Sequence, residues 1–211
     1  MTSSYQNLPD TGMDVGYLAP EGCFVNLAGD YGYMTSAYYT SQDLEAAAKP
    51  VHPTCKEILD GYIVPLFLEK ARQAGIRVPA YHITNEYFEP PAVVDSINPF
   101  MCRQSIVWKP GHQERVSKSL TRNFTYAICC QELPSGARIG HFRAILGWSV
   151  ARRYRALAAA LWETFHIPLA VIRVIVLAHG DTLVSALQPL PLRRLTAREL
   201  TYVHKRVTWP I

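Results

Sequence analysis

Residues 24–53 read FVNLAGDYGYMTSAYYTSQDLEAAAKPVHP: a short apolar run, a loop crowded with phenols, then a helical segment. Phe24, Val25 and Leu27 predict a buried strand. Thr35 or Ser36 is placed to cap a helix that Pro50 stops near Lys49. Tyr31, Tyr33, Tyr38 and Tyr39 crowd the junction between the two. A phenol has a large apolar face and one hydroxyl that needs a partner, so this grouping is either a stacked structural plug or a wall facing a ligand. Ligands of α/β proteins often sit at the C-terminal end of such a strand, which directs attention to the loop at 28–35. Within it, Gly29 permits close backbone approach beside Asp30, and the neighbouring rings would keep water from that carboxylate.

Working outward, Thr54-x-x-Glu57 is a capping box, and Ile58, Leu59, Tyr62, Leu66, Phe67 and Ala71 follow at helical spacing. Pro65 is expected to bend that helix and Gly75 to end it. Residues 76–83 predict a strand that Pro79 confines to a sheet edge. The stretch 84–123, with prolines at 90, 91, 99 and 110, reads as a long loop with short regular pieces. Residues 122–131 and 137–146 predict a hairpin around Pro134-Ser135-Gly136, and 169–178 with 182–187 a second around His179-Gly180-Asp181. Between the two hairpins, Ser149 is expected to cap a helix reaching Phe165, with Val150, Tyr154, Leu157, Leu161 and Phe165 as its apolar stripe. Thr196 and Glu199 form another capping box, opening a basic last helix to about Arg206. The expected fold is therefore α/β: a single domain over residues 23–211 with a mixed β-sheet, an N-terminal strand-loop-helix unit and two C-terminal hairpins packed on helices. Residues 1–22 are expected to be a flexible leader.

Composition bounds the class. With 49% hydrophobic and 18% charged residues, the 211-residue chain has ample material for a buried core. The longest apolar run, 167–178, is interrupted by Pro168 and Arg173 and is too short to span a bilayer. The first 25 residues lack a basic start followed by an apolar core; a cytoplasmic protein without membrane association is expected. Five cysteines without regular spacing point to reduced thiols. Charge is unevenly spread: residues 1–102 hold 5 basic against 12 acidic side chains, and residues 103–211 hold 16 against 5. The halves can neutralise each other within one fold, or the basic half can meet an acidic partner.

Few residues offer catalytic chemistry. Cys55 lies in the first turn of a helix, where the dipole would favour its thiolate, and His52 is the nearest imidazole in sequence. They are the candidate catalytic pair; a small buried thiol is the plainer reading of Cys55. No two tight Cys/His clips occur, so no metal is expected. Phosphate-binding glycine loops are also lacking, and no cofactor is expected. Glu86 and Glu89 flank Tyr87-Phe88 in the irregular middle, where a solvated loop is the simpler interpretation. Tyr202 and His204 among the C-terminal arginines give too little aromatic interleaving to predict nucleic-acid binding.

Two blocks resemble a known family. The spacing Asn26-Leu27, Tyr31-x-Tyr33, Thr35, Tyr38-Tyr39, Ser41, Glu45-Ala46 and Val51-x-Pro53 is similar to the domain that precedes the catalytic part of RimK-like ATP-grasp ligases. YRALAAALWETFHIPLAVIRVIVL (154–177) with LQPLPLRRLTARELTYV (187–203) resembles the end of that domain. The chain departs from the family pattern at Gly29 and Gly32, where relatives carry basic residues, and it stops about where the ATP-grasp domain would begin. The resemblance implies a non-catalytic substrate-binding or ligase-docking domain acting with a separate ATP-grasp ligase. Asn26, Asp30, Tyr31, Tyr33, Thr35, Tyr38, Tyr39 and Ser41 would bind a small-molecule or peptide substrate. The alternative is a small enzyme, dependent on Cys55 with His52 or on Asp30, acting on an unknown substrate.

Overall fold

The structure, a computed structural model, describes residues 14–98 and 103–209. In chain order its first elements are β1 (Val15–Leu18), β2 (Cys23–Asn26), α1 (Ser36–Ala46), β3 (Val51–His52), α2 (Cys55–Tyr62), α3 (Val64–Gln73), β4 (Tyr81–Thr84) and β5 (Ala92–Ser96). Then come β6 (Gln104–Val107), α4 (Gln113–Leu120), β7 (Ile128–Glu132), β8 (Arg138–Ile145), α5 (Arg155–Phe165), β9 (Leu169–Val176), β10 (Thr182–Pro189), α6 (Ala197–Arg206) and β11 (Val207–Thr208). The chain forms two compact units. One draws its described residues from Met1–Ile58, Arg143–Ala170 and Pro189–Ile211, the other from Leu59–Phe142 and Val171–Gln188. The described helices are too short or too polar to cross a membrane.

In the first unit a four-stranded mixed sheet has the order β11-β1-β2-β3. β1 is antiparallel to β2 and β11, while β2 runs parallel to β3 with Phe24 opposite Val51. Val15, Leu44 and Val51 pack together with Phe24 against them, so α1 covers the sheet through Leu44. The predicted strand-loop-helix unit is thus β2, the phenol loop and α1. Thr35 is its N-cap, its hydroxyl accepting from the Tyr38 amide at 3.3 Å. Within the expected leader, Val15–Leu18 is a strand paired with β2 and β11, and Val15 packs against Leu44 of α1. Residues 1–13 of that stretch lie outside the described residues.

The second unit carries a four-stranded antiparallel sheet, order β4-β7-β5-β6. Side chains alternate faces along a strand, and β5 is buried on both: Ala92 and Val94 join Phe88, Val107, Leu120, Ile128 and Cys130, whereas Val93 joins Leu133, Ala137, Ile175 and Leu183. β5, β6 and α4 are the regular pieces of the irregular stretch expected at 84–123, of which residues 99–102 lie outside the described residues. Between β5 and β7 a buried network closes. Arg173 is fully buried and donates to Asp95 through both terminal nitrogens, at 2.9 and 2.6 Å, and to the Ser185 hydroxyl at 2.8 Å. Its Nη1 also donates to Gln104, and Gln131 joins Asp95 to Ser185.

A third sheet has the order β10-β9-β8. The hairpin β9-β10 forms as predicted, with the Leu177 amide donating to the Asp181 carbonyl at 2.8 Å. The other expected hairpin does not: β7 pairs with β4 and β5, and β8 joins β9 instead. The bent helix is also corrected. The chain breaks at Ile63, and Pro65 stands in the first turn of α3, where its missing N–H has no helical partner to lose. Ser149 does not cap α5, which begins at Arg155 after a 3-10 turn, and Val150 is exposed.

Two substitutions test this packing. Gly29 has φ +75°, and a Cβ there would lie 1.9 Å from the Leu190 carbonyl oxygen, whose own amide donates to Gly29. Gly29→Ala is expected to lose at least about 1–2 kcal/mol, the left-handed strain alone, in urea unfolding. Asp95→Ala leaves the Arg173 guanidinium buried without a counter-charge, and a loss of about 3–5 kcal/mol is expected in the same assay.

Candidate functional site

The phenol loop and α1 form one wall of an open cleft of about 560 Å³ lined by Tyr33, Met34, Tyr38, Tyr39, Gln42, Glu45, Ala46 and Cys55. Its rings are mutually oriented. Tyr33 and Tyr38 meet edge to face at 5.1 Å, Tyr38 and Tyr39 at 6.1 Å. Tyr39 and Met34 remain 43% and 52% exposed, large apolar surfaces turned to solvent. Helical spacing explains the lining, since Tyr38, Gln42 and Glu45 recur three and four residues apart on one face of α1.

The eight residues predicted to contact a ligand separate into two groups. Tyr33, Tyr38 and Tyr39 line the cleft. Tyr31 is fully buried and donates its hydroxyl to the Asn26 carbonyl at 2.7 Å, the plug reading of that phenol. The Asn26 side chain, itself buried, donates to the Ala37 carbonyl at 2.8 Å and the Ser41 hydroxyl at 3.1 Å, and accepts from the Ala28 amide. Asn26 and Ser41 therefore seat α1 on β2, and Thr35 caps α1. Exposed Asp30 accepts from the Gly32 amide at 3.4 Å, and its carbonyl accepts from Thr35. Sequence reasoning missed Gln42 and Glu45; counting from Tyr38 at helical spacing would have found both.

At the cleft floor, Tyr38 hydrogen-bonds to the Cys55 thiol, and the thiol bonds to Glu45. Glu45 also accepts from the Cys55 amide at 2.8 Å. Burial, then the hydrogen bond with Glu45, push the Cys55 thiol up to about 11, overriding the Tyr38 bond that acts the other way. The thiolate that the helix dipole was expected to favour does not prevail: a neighbouring carboxylate penalises a second negative charge. Burial and the bond to Cys55 likewise push Tyr38 up to about 12.

His52 is engaged elsewhere in the same unit. Its Nδ1 lies 3.1 Å from Glu57 Oε2, and His166 Nδ1 lies 2.8 Å from Glu57 Oε1. The two imidazoles stack at 4.3 Å and 13°, with Trp162 edge-on to both. Glu57 completes the predicted capping box, accepting from the Thr54 amide at 2.7 Å. Burial works against its charge, but His52, the Thr54 amide and His166 together hold its carboxyl below the usual value. Cys55 and His52 thus bond to different carboxylates.

No protein-family model matches the sequence, and no curated protein sequence matches it. Solved structures do. The ATP-grasp ligase PsnB, in complex with a phosphomimetic variant of a minimal precursor, Mg and ADP, gives a TM-score of 0.52 at 14% identity over 83% of this chain. This chain spans 63% of the length of PsnB. A RimK domain ATP-grasp protein from Sphaerobacter thermophilus gives 0.54 at 15% identity, over 79% of this chain and 71% of that one. D-alanine–D-alanine ligase from Helicobacter pylori gives 0.58 at 14% identity, over 85% and 68%. The likeness is one of fold, to part of the length of each of these ATP-grasp ligases.

Proposed function

We propose that the protein is a non-catalytic, substrate-binding relative of RimK-like ATP-grasp carboxylate–amine ligases, and that it presents an amine-bearing small molecule or peptide to a separate ligase. The aromatic cleft carries this reading. Phenol faces attract a cation by about 0.5–2 kcal/mol each, and Glu45 supplies the opposite charge. The cleft's volume lies within the range of small-ligand pockets, and its lining among the described residues includes no cationic side chain. A peptide is a reasonable occupant on fold grounds, since PsnB has been solved with a precursor peptide. Recognition rather than turnover is favoured by the thiol: held protonated between Tyr38 and Glu45, it is a hydrogen-bonding group and a poor nucleophile. For docking, Trp148 stacks on Tyr202 at 4.6 Å with Arg155 and Arg198 over its ring, a basic aromatic face suited to an acidic ligase surface.

Thermal-shift and calorimetric titration with lysine-containing peptides and simple alkylammonium ions, each against its N-acetylated counterpart, tests the proposal. The free amines are expected to raise the melting temperature, the acetylated forms to have no effect, and Tyr38→Ala or Glu45→Gln to weaken binding about tenfold or more. Equal binding of the acetylated compounds would remove the amine specificity. ADP release on incubation with ATP, a carboxylic acid and an amine would overturn the non-catalytic assignment.

The thiol is tested separately. Cys55 is expected to alkylate slowly at neutral pH, its rate climbing as pH rises towards about 11. Glu45→Gln, by removing a charge that opposes the thiolate, should accelerate the reaction. Rapid alkylation of the unmodified protein at pH 7, located at Cys55 by mass spectrometry, would restore the cysteine-dependent enzyme.

A further inference from the structure

The cluster of His52, Glu57 and His166 serves no role in the aromatic cleft. It joins the end of β3, the first turn of α2 and the C-cap of α5, all within the first unit, and one donor atom from each residue lies within 4.8 Å of the others. Its parts are individually positioned. Glu57 Oε2 is held by the Thr54 amide at 2.7 Å, and His166 sits at a left-handed C-cap with φ 49°, which turns its ring back over the helix end. Trp162, only 8% exposed, lies near both imidazoles with its ring roughly perpendicular to theirs.

We infer that His52, Glu57 and His166 form a binding site for a divalent transition-metal ion of the zinc type. Two imidazole nitrogens and one carboxylate oxygen are a donor set for zinc, cobalt, nickel or copper rather than for magnesium or calcium, which take oxygen ligands. Donors held about 2.0–2.1 Å from one tetrahedral ion stand roughly 3.3 Å apart. The imidazoles lie 3.1 and 2.8 Å from different oxygens of Glu57, and one donor atom from each residue already lies within 4.8 Å of the others, so a modest contraction of the cluster brings one oxygen and two nitrogens to that spacing. An ion would replace the protons that now bridge the imidazoles and Glu57. The stacked rings must turn for their lone pairs to converge, and that motion is about the soft terminal torsion of histidine. The imidazoles are 26% and 32% exposed, so an ion can enter and a fourth position is open to water, the arrangement of three-ligand zinc sites that polarise a bound molecule.

Chelator-stripped protein titrated with Zn²⁺ by calorimetry, in the presence of a weak competing chelator, tests the site. One ion per chain is expected, with a rise in melting temperature, and Co²⁺ should give the visible absorption of a tetrahedral complex. His166→Ala and Glu57→Gln are each expected to weaken binding at least about tenfold. Glu57→Gln keeps an acceptor for the Thr54 amide and so provides a folded control if the alanine variant unfolds. Absence of stoichiometric binding, or binding undiminished in Glu57→Gln, would overturn the inference; the latter would place the ion on the cysteines.

Discussion

The first unit depends on one buried amide. Asn26 is the last residue of β2, and its side chain makes three hydrogen bonds: two donated to α1, at Ala37 and Ser41, and one accepted from the chain leaving the strand. Its own carbonyl receives Tyr31. An amide removed from water costs several kcal/mol unless its groups are paired, so this residue is tolerable only with α1 seated in one register. That register turns Tyr38, Gln42 and Glu45 outward as the cleft wall and leaves Leu44 on the sheet. Fold and site are consequences of the same constraint, with Tyr31 as the plug behind a wall of other tyrosines.

The second unit uses a costlier device. The Arg173 guanidinium loses all its water and is compensated by Asp95, Ser185 and Gln104, with Gln131 fixing the carboxylate from a further strand. An apolar replacement of the whole set would be no less stable, but removing one member strands a charge. The network instead specifies which strands meet, since only one register of β5, β7, β9 and β10 satisfies every group. Such specification is valuable where β5 is buried on both faces and its run Ala92-Val93-Val94 would otherwise tolerate a slip.

How much of this was legible in the sequence follows from the range of the forces involved. β2, its loop, α1, both capping boxes and the β9-β10 hairpin were readable because their signals lie within a few residues: a hydroxyl and a carboxylate three apart, a turn between apolar runs. The hairpin expected around Pro134-Ser135-Gly136 failed because local turn chemistry was weighed without the competing partner. β7 has two neighbours distant in sequence, and the apolar faces of Ile128 and Cys130 are used against them. β5 carries no strand signal of its own: Pro90 and Pro91 precede Ala92, Val93 and Val94, a run whose burial on both sides removes the alternation that marks a surface strand. In the cleft, Tyr33, Tyr38 and Tyr39 were visible as a cluster, but nothing in the letters separates them from Tyr31. Nor does the sequence link His52 to His166, which lies more than a hundred residues on and meets it by stacking and by a shared bond to Glu57.

The uneven charge of the chain finds a physical use in these contacts. Acidic residues of the first half pair with basic residues of the second inside each unit: Glu21 with Arg206 and Glu57 with His166 in one, Asp95 with Arg173 in the other. Arg77 and Asp181 form the same kind of link with the signs exchanged. Because both units are built from discontinuous segments, each needs forces that select a partner far along the chain, and opposite charge does so with more discrimination than apolar contact. Glu45 stands outside that scheme. It has no cationic partner among the described ion pairs and faces the cleft with a thiol and three phenols around it. Its carboxylate is bonded to the amide and thiol of Cys55 and to no cation among those pairs, and on the proposed function an amine-bearing occupant would supply that charge beside the aromatic faces.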